Sequence, residues 1–369
     1  MFATSFQHWA YRNVAKPIFF RLDPEDVHDA VTWFGARLGK FALTRRVIRA
    51  LFAFDHPALE QTILGIHFKN PVGLTAGFDK NAQLLGIMPE VGFGFEEIGS
   101  VTGEPCEGNP RPRLWRLPKS NGLVVWYGLK NDGCEAIAKR LRGFDAAIPF
   151  GTSVARTNSA ATVEQGAGIA DYVKAFRAFT DIGDYFTVNI SCPNTCGGEP
   201  FTSPEALDHL LTALDPIPTA KPVFLKMPAD ISTEEFDALV AVANRHRVHG
   251  FVISNLTKKF DRATVNQDEI MVTDKGGISG RPVVEPANAL IAHAYRAVGS
   301  RYVIMGSGGI FSAEDAYEKI RLGASLLQLA TGMIFEGPQL IGEINRGLVE
   351  LLKRDGYANI SEAVGTKKE

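Results

Sequence analysis

Residues 302–310, YVIMGSGGI, and residues 325–332, SLLQLATG, decide between two α/β folds for this sequence. Each is a short apolar run that ends in small or polar residues, as a buried parallel strand does where a loop follows its carboxyl end. A doubly wound sheet normally carries its glycine-rich phosphate turn after the first strand. In a TIM barrel, by contrast, the loops after strands seven and eight commonly bind phosphate. Glycines that come this late in the chain therefore favour the barrel.

Six similar apolar runs precede these two, and longer amphipathic stretches separate most of them. The predicted strands are 71–77, 93–100, 147–154, 185–191, 222–227, 250–255, 302–307 and 325–331, and the predicted helices include 171–182, 204–214, 233–246, 286–298 and 313–322. Eight strand–helix units over roughly 300 residues are what a TIM (β/α)8 barrel requires. We therefore predict an α/β fold, with a TIM barrel over residues 59–369 and an N-terminal helical extension over residues 1–58.

The composition excludes several classes of protein. The chain has 369 residues, 45% of them hydrophobic and 22% charged, which is typical of a globular protein with a substantial core. A formal net charge of −2 argues against a nucleic-acid partner. The sequence contains no run of about 18 apolar residues, which is the length that a membrane-spanning helix needs. Four cysteines fit a reducing compartment, and the first residues lack the features of a secretory signal, so we expect a cytoplasmic protein.

The first 54 residues differ from the rest. They hold eight basic and four acidic residues, a net charge of +4, together with eleven of the 36 aromatic residues. Their pattern predicts short helices broken at Pro17 and Pro24, with Asp23 as an N-cap. Basic, aromatic-rich helices of this length are typical of a segment that lies on a membrane surface. A helical lid packed on the barrel fits the composition equally well.

Two lysines and the late glycines follow predicted strands. Gly309 and Thr331 belong to the two loops that bind phosphate in this fold, which predicts a phosphate-bearing cofactor or substrate there. Lys226 ends an apolar run, and it is either a Schiff-base nucleophile or a cation beside an electron-rich ring. Lys80 follows the first strand, where it meets a carboxylate ligand or is a solvated lysine next to Asp79.

The segment NISCPNTCGG, residues 189–198, is the most informative for chemistry. It places Asn189, Cys192 and Asn194 at the barrel mouth, where two carboxamides orient an amide-bearing ligand and a thiol acts as nucleophile or base. Cys196 completes a CxxxC spacing, but no second cysteine pair or HExxH motif accompanies it. We therefore expect no metal and interpret Cys196 as a bystander.

These residues, in this order, resemble the dihydroorotate dehydrogenase family, FMN enzymes of pyrimidine synthesis. The resemblance covers nearly the whole chain, through the blocks FRLDPEDVHDA, FKNPVGLTAGFDKN, EEIGSVT, RPRLWRL, VEQG, DYVKAF, NISCPNT, SNLT, GGISGRP, GSGGI and GASLLQLATGMIFEGP. The extension with its LDPE block is similar to the quinone-reducing class, in which a helical lid docks on the membrane and forms the quinone tunnel. The resemblance implies a protein peripherally associated with the inner face of the cell membrane.

The resemblance also implies two sets of site residues. The substrate contacts match Lys80, Asn189, Asn194 and Asn255. The positions that hold FMN match Ala76, Gly77, Ser100, Asn189, Lys226, Ser254, Gly280, Gly309 and Thr331, with the phosphate by Gly309 and Thr331. The implied reaction is oxidation of dihydroorotate to orotate. A base at Cys192 removes the C5 proton, the C6 hydride goes to FMN N5, and a quinone accepts the electrons.

Four positions depart from the family pattern. Cys192 stands where the quinone-reducing class has serine, but a thiol, with a free pKa of about 8.5, is a better base than an alcohol near neutral pH. Val125 and Leu256 stand where polar substrate contacts are expected, and Val154 replaces an asparagine that touches the flavin. Each lost hydrogen bond to a buried ligand atom costs on the order of 1 to 3 kcal/mol.

Three functions therefore stay open. The first is a quinone-linked dihydroorotate dehydrogenase with an altered pocket. The second is an FMN oxidoreductase on the same scaffold that acts on a less polar ring or an enone-like substrate. The third is a barrel without redox chemistry, either a binding protein or a lyase that works through Lys226.

Overall fold

The computed structural model describes residues 2–260, 262–270 and 275–367. Its strands are β1 (Gln61–Ile63), β2 (Ile66–Phe68), β3 (Val72–Leu74), β4 (Phe95–Val101), β5 (Leu114–Leu117), β6 (Gly122–Val125), β7 (Phe150–Val154), β8 (Tyr185–Asn189), β9 (Val223–Lys226), β10 (Gly250–Ile253), β11 (Gly277–Gly280), β12 (Val303–Ser307) and β13 (Leu326–Leu329). Its helices are α1 (Phe2–Ala10), α2 (Lys16–Phe19), α3 (Pro24–Leu38), α4 (Ala42–Phe52), α5 (Met88–Val91), α6 (Cys134–Leu141), α7 (Gln165–Ala178), α8 (Pro204–Leu214), α9 (Thr233–Ala243), α10 (Gln267–Ile270), α11 (Val284–Val298), α12 (Ala313–Arg321), α13 (Thr331–Glu336) and α14 (Leu340–Asp355).

Eight parallel strands close into a barrel in the order β3-β4-β7-β8-β9-β10-β12-β13. They are the eight strands predicted from the apolar runs, and the five predicted helices also form, as α7, α8, α9, α11 and α12. The prediction of a TIM barrel with an N-terminal helical extension is therefore confirmed. A second, antiparallel sheet of β5, β6 and β11 lies outside the barrel.

The strands bury side chains on both faces. The barrel interior contains an apolar layer that includes Phe95, Tyr185 and Phe224, and Phe68 of β2 packs against it. On the outer face, residues such as Ile98 and Val188 are fully buried against the surrounding helices. Burial on both faces explains why the strands have continuous apolar runs instead of an alternating pattern.

The helical extension follows its predicted pattern at Pro24 and departs from it at Pro17. Asp23 caps α3, since its carboxylate accepts hydrogen bonds from the backbone N–H groups of Glu25 and Asp26. No break occurs at Pro17, because a π-helical turn over Tyr11–Ala15 connects α1 to α2. The wider turn just before the proline accommodates a residue that has no N–H and whose ring would crowd a regular α-helical turn.

The extension packs on the barrel domain through a buried ion pair. The Glu25 carboxylate, on α3, accepts hydrogen bonds from the Arg113 guanidinium at 2.8 and 3.0 Å, and both side chains are almost fully buried. Lys130 lies 3.4 Å from the same carboxylate. Burial raises the pKa of Glu25. The hydrogen bond and the charge of Arg113 lower it by a larger amount, so the pKa of Glu25 lies below its ordinary value.

The extension also exposes many large apolar side chains to solvent. The exposed side chains there are Phe6, Trp9, Val14, Ile18, Leu22, Val31, Trp33, Phe34, Leu38, Phe41, Leu43, Val47 and Leu51. No helix within the described residues is long and apolar enough to cross a membrane. The extension therefore packs on the barrel and also exposes a large apolar surface.

Replacement of Glu25 by Gln tests the ion pair. The variant leaves the Arg113 charge buried without its carboxylate. We therefore expect the free energy of unfolding of the extension to be about 3 kcal/mol lower than in the wild type. Urea denaturation followed by tryptophan fluorescence measures this change. Asp26→Asn is the matched control, because Asp26 pairs with Arg111 at the exposed surface. Equal stability of the two variants would contradict the prediction.

Candidate functional site

A cavity of about 220 Å³ opens at the carboxyl ends of the barrel strands. Every predicted site residue lines it: Ala76, Gly77, Lys80, Ser100, Asn189, Cys192, Asn194, Lys226, Ser254, Asn255, Gly280, Gly309 and Thr331. The sheet of β5, β6 and β11 contributes Leu114, Leu123 and Val125 to its wall. The structure thus brings together residues that lie more than 250 positions apart, although the role of each remains a prediction.

One end of the cavity has the shape of an anion cradle. Gly280 and Gly309 have φ values of 95° and 72°, which L side chains rarely adopt. A Cβ atom on Gly280 would overlap the Asn121 carbonyl, and one on Gly309 would overlap Val284. Beside them, the Thr331 and Ser279 hydroxyls lie 2.9 Å apart. These residues fit the predicted phosphate site, because the absence of side chains lets an anion approach the backbone and hydroxyl groups.

Lys226 lies at the floor of the cavity and is almost completely buried. Its Nζ is 3.4 Å from Thr75 Oγ1, which in turn lies 3.2 Å from Gln328 Oε1. Gln328 and Thr187 both donate hydrogen bonds to Glu97, at 2.8 and 2.7 Å. Burial lowers the pKa of Lys226, and the charge of Glu97 partly offsets this effect.

The network of Glu97, Gln328 and Thr75 around Lys226 was not predicted from the sequence. The sequence did contain an indication of this network, namely a charged or polar residue within a predicted buried strand, as in FGFEEIGS and SLLQLAT. Buried polar groups require partners, so such letters mark either a polar layer inside the barrel or contact with a ligand.

Lys80 stands at the other side of the cavity. Its Nζ lies 4.1 Å from the centre of the Tyr127 ring and 3.4 Å from His28 Nε2. Burial lowers the pKa of Lys80 to about 8. The Asp79 carboxylate does not pair with Lys80 and instead accepts the N–H groups of Gln83 and Leu84. Among the described residues, no carboxylate lies within ion-pair distance of the Lys80 ammonium group.

The three asparagines differ in the hydrogen bonds that they still offer. Asn189 bonds to Ser100 and Ser191, which leaves one amide hydrogen. Asn255 uses its NH₂ group on Ser191, and its Oδ1 accepts the Leu256 N–H at 2.9 Å, which leaves one lone pair of Oδ1 for a further bond. Asn194 donates to the Val125 carbonyl at 2.9 Å, whereas its buried Oδ1 has no partner. Asn194 is therefore the asparagine most in need of a ligand donor.

Cys192 follows β8 and faces the same cavity. Burial raises the pKa of its thiol to about 11. The thiol of Cys192 therefore stays protonated over a wider pH range than a free thiol, whose pKa is about 8.5. Near pH 7 the Cys192 thiol is neutral, and its ionised fraction increases with pH.

The departures from the family pattern lie in different places. Val125 and Leu256 line the cavity, as the resemblance implies. Val154 does not, because it is on the outer face of β7 and packs in the core between strands and helices. The placement of position 154 against a flavin is therefore wrong. Its neighbour Ser153 points into the barrel instead, with its hydroxyl 2.7 Å from that of Ser100.

Two further side chains of types that can bind a metal lie outside the cavity. Cys196 is exposed. His246 bonds to Asp215 and Asp208 between two helices, at 2.7 and 3.1 Å. Within the part of the chain that the structure describes, no group of three or more His, Cys, Asp or Glu side chains could hold a metal ion.

Comparison with known proteins shows the class to which this protein belongs. The family model "Dihydroorotate dehydrogenase" matches residues 58–352, which is most of the chain. A DHODH from Eimeria tenella in complex with ferulenol superposes with a TM-score of 0.82 and 27% identity, over 93% of this chain and 95% of that one. The ligand-free DHODH from the same organism gives a TM-score of 0.80 and 28% identity, over 94% and 100% of the two chains.

Curated relatives then give a narrower assignment. Proteins named "Dihydroorotate dehydrogenase (quinone)" from Nocardia farcinica and Gloeobacter violaceus are both 37% identical to this chain over 95% of its length, and over 95% and 98% of their own. One from Roseiflexus sp. is 38% identical, over 95% of this chain and 96% of its own. The chain belongs to the dihydroorotate dehydrogenase family, and the relatives named here carry the quinone-dependent name.

The raised pKa of Cys192 can be tested by alkylation with iodoacetamide and peptide mass spectrometry. At pH 7.5 we expect the exposed Cys196 to react much faster than Cys192. The Cys192 rate should increase about tenfold per pH unit up to pH 10, since the thiolate is the nucleophile. The variant Cys196→Ser should leave the Cys192 rate unchanged. Comparable rates at the two cysteines at pH 7.5 would contradict the prediction.

Proposed function

We propose that this chain oxidises dihydroorotate to orotate, with FMN as its cofactor and a quinone as the electron acceptor. One observation carries the proposal. Lys80 without a carboxylate partner, the unpaired Oδ1 of Asn194 and the Cys192 thiol all face one cavity. That set complements a ligand with a carboxylate, a ring N–H and a carbon from which a proton is removed. The names of the relatives support the same reaction.

The substrate half of the cavity fits dihydroorotate as follows. The Lys80 ammonium binds the carboxylate, because an anion compensates for the cost of holding this cation away from water. The Asn194 Oδ1 accepts a ring N–H, which satisfies its unpaired lone pairs. Asn255 offers only its oxygen and Asn189 one N–H, so each makes at most one directed contact with the ring.

The remaining residues fit FMN. Gly280, Gly309 and Thr331 would hold the phosphate, where the two glycines with positive φ put no side chain between the backbone and an anion. Lys226 would face the edge of the ring that gains negative charge, and this favours its flavin-side role over a Schiff base. The positions around the ring would be Ala76, Gly77, Ser100, Asn189 and Ser254. A bound FMN supplies the acceptor for the hydride that dihydroorotate loses.

Cys192 supplies the acid–base group. Its Sγ takes the proton from C5 of dihydroorotate as the hydride leaves C6, so the substrate loses H⁺ and H⁻ and becomes orotate. The high pKa of the thiol makes the thiolate a strong base, but it also makes the thiolate scarce at neutral pH. Lys226 lowers the pKa of Cys192 through its charge, although by less than burial raises it.

Anaerobic mixing of the purified holoenzyme with dihydroorotate tests the proposal. We expect the flavin absorbance to bleach and to return when a ubiquinone analogue is added. At saturating dihydroorotate the bleaching rate should increase with pH between 7 and 10, because the ionised fraction of a thiol with a pKa near 11 grows throughout this range, while the half-saturating concentration should rise above pH 8 as Lys80 loses its proton. Cys192→Ala should retain flavin and bleach about 10²-fold or more slowly. Cys196→Ala is the matched control and should behave as the wild type does.

Other outcomes identify the alternatives. A yellow protein that does not bleach at millimolar dihydroorotate would favour an FMN oxidoreductase for a less polar ring or an enone-like substrate, since Val125 and Leu256 give the cavity apolar walls. A colourless protein that refuses added FMN would leave only a binding protein or a lyase that works through Lys226. Full activity in Cys192→Ala would remove the assigned base.

We also propose a division of the chain into a membrane-docking, quinone-binding segment over residues 1–58 and an FMN-binding barrel over residues 59–369. The apolar surface and positive charge of the segment suit the inner face of the cell membrane. Leu114, Leu123 and Ile334 line the cavity next to the segment and offer an apolar route for a quinone. The matching of the family model from residue 58 supports the boundary.

Flotation with lipid vesicles tests the membrane part. The wild-type chain should float with vesicles, and more strongly with anionic than with neutral lipid. The double variant Leu43→Glu and Val47→Glu places two charges on the exposed face of α4 and should abolish flotation. Phe144→Glu, at a similarly exposed site on the barrel, is the control and should float normally. Flotation of the double variant at the wild-type level would contradict membrane docking through α4.

A further inference from the structure

The helical extension reaches the cavity through His28 of α3. The Nε2 of His28 lies 2.8 Å from the Phe78 carbonyl oxygen, and the Lys80 Nζ lies 3.4 Å from the same nitrogen. A carbonyl can only accept, so Nε2 carries a hydrogen and cannot also accept one from Lys80. Burial, together with the charge of Lys80, lowers the pKa of His28, while Asp29, whose carboxylate lies 3.4 Å from Nδ1, raises it by less. The Lys80 N–H groups consequently stay available for a ligand.

His28 binds a loop that the barrel already holds from the other side. The backbone N–H of Gly77 donates to the Gly99 carbonyl at 2.7 Å, and the N–H of Gly99 donates to the Asp79 carbonyl at 3.0 Å. These bonds tie the loop to the end of β4. The hydrogen bond from His28 to Phe78 reaches the loop from α3. The backbone on both sides of Lys80 is therefore fixed between the barrel and the extension.

Two glycines let α3 approach the same loop closely. A Cβ atom on Gly35 would lie 2.7 Å from a methyl group of Leu84, and one on Gly39 would lie 2.9 Å from the carbonyl carbon of Gly86. At Gly39 the overlap is with backbone, so only glycine permits the close approach there, whereas at Gly35 the Leu84 side chain would have to move. The contact extends from His28 to the end of α3, and it places the helix directly on the segment that presents Lys80.

We propose that His28 is a positioning residue for Lys80 and that α3 thereby forms part of the site for the carboxylate of the substrate. The proposal rests on the proposed function for the identity of the anion, but the positioning of the loop does not depend on it. The extension accordingly contributes to substrate binding, in addition to membrane docking and quinone access.

Orotate binding to the oxidised holoenzyme, followed by the change in flavin absorbance, provides the first test. His28→Ala should weaken orotate binding about tenfold. It should raise the half-saturating dihydroorotate concentration for anaerobic bleaching by a similar factor, while the limiting bleaching rate stays within about twofold. Bleaching is measured without quinone, so an effect on quinone access cannot contribute. His28→Gln, whose amide can donate to the Phe78 carbonyl, should recover most of the affinity.

Two further variants separate positioning from packing. His28→Phe keeps a ring against Phe78 but has no donor, so it should weaken orotate binding as His28→Ala does. Ala30→Gln, at an exposed position of the same helix, should bind orotate as the wild type does. Wild-type affinity in His28→Phe or in His28→Ala would overturn the proposal. If His28→Ala fails to fold, His28→Phe and His28→Gln still decide.

Hydrogen exchange of the ligand-free protein distinguishes failure of this proposal from failure of the proposed function. We expect the amides of residues 77–84 to exchange faster in His28→Phe than in the wild type, and His28→Gln to restore their protection. If the wild type does not bind orotate, the proposed function fails, while exchange still reports whether His28 holds the loop. Unchanged exchange in His28→Phe would overturn the positioning role.

Discussion

Closure of the barrel by an apolar layer is the constraint on which the rest of the structure depends. Because Phe95, Tyr185 and Phe224 fill the lower part of the barrel, solvent and ligands can reach its interior only from the carboxyl ends of the strands. Polar side chains above that layer must then pair with one another or with a ligand. Glu97 is satisfied at one oxygen by Thr187 and Gln328, while its other oxygen has no partner. The polar floor of the cavity is a consequence of the apolar layer below it.

Burial also sets the charge states of the groups that carry the chemistry. It lowers the pKa of Lys80 and Lys226 and raises that of Cys192, in each case because the charged form is the one that loses hydration. A ligand with a carboxylate reverses this effect at Lys80, since it replaces water as the partner of the ammonium group. The Cys192 thiol and an ammonium group without a carboxylate partner line the same cavity, which suits a substrate that brings both an anion and an acidic C–H.

The barrel could be predicted from the sequence because buried parallel strands leave continuous apolar runs, and the loops after them are rich in glycine and polar residues. The residues of the site could be found for the same reason, since the ends of the strands are adjacent in the sequence to the strands themselves. The break expected at Pro17 was wrong, because a π-helical turn is not visible in residue types. Val154 was wrongly expected to face the flavin. Side chains alternate between the two faces of a strand, and residue types alone did not show that Ser153, and not Val154, faces the barrel interior. His28 could not be found from strand ends, as it comes from a helix far away in the sequence.

The close contact of Gly35 and Gly39 with the Lys80 loop bears on how this chain can be dissected. The boundary near residue 58 separates helices from strands, but the cavity includes a side chain from before that boundary. A fragment that begins at the barrel would keep its closed cylinder of strands and expose Lys80 to bulk water. Crystallography or inhibitor screening on such a fragment would therefore describe an incomplete pocket, with one wall replaced by solvent.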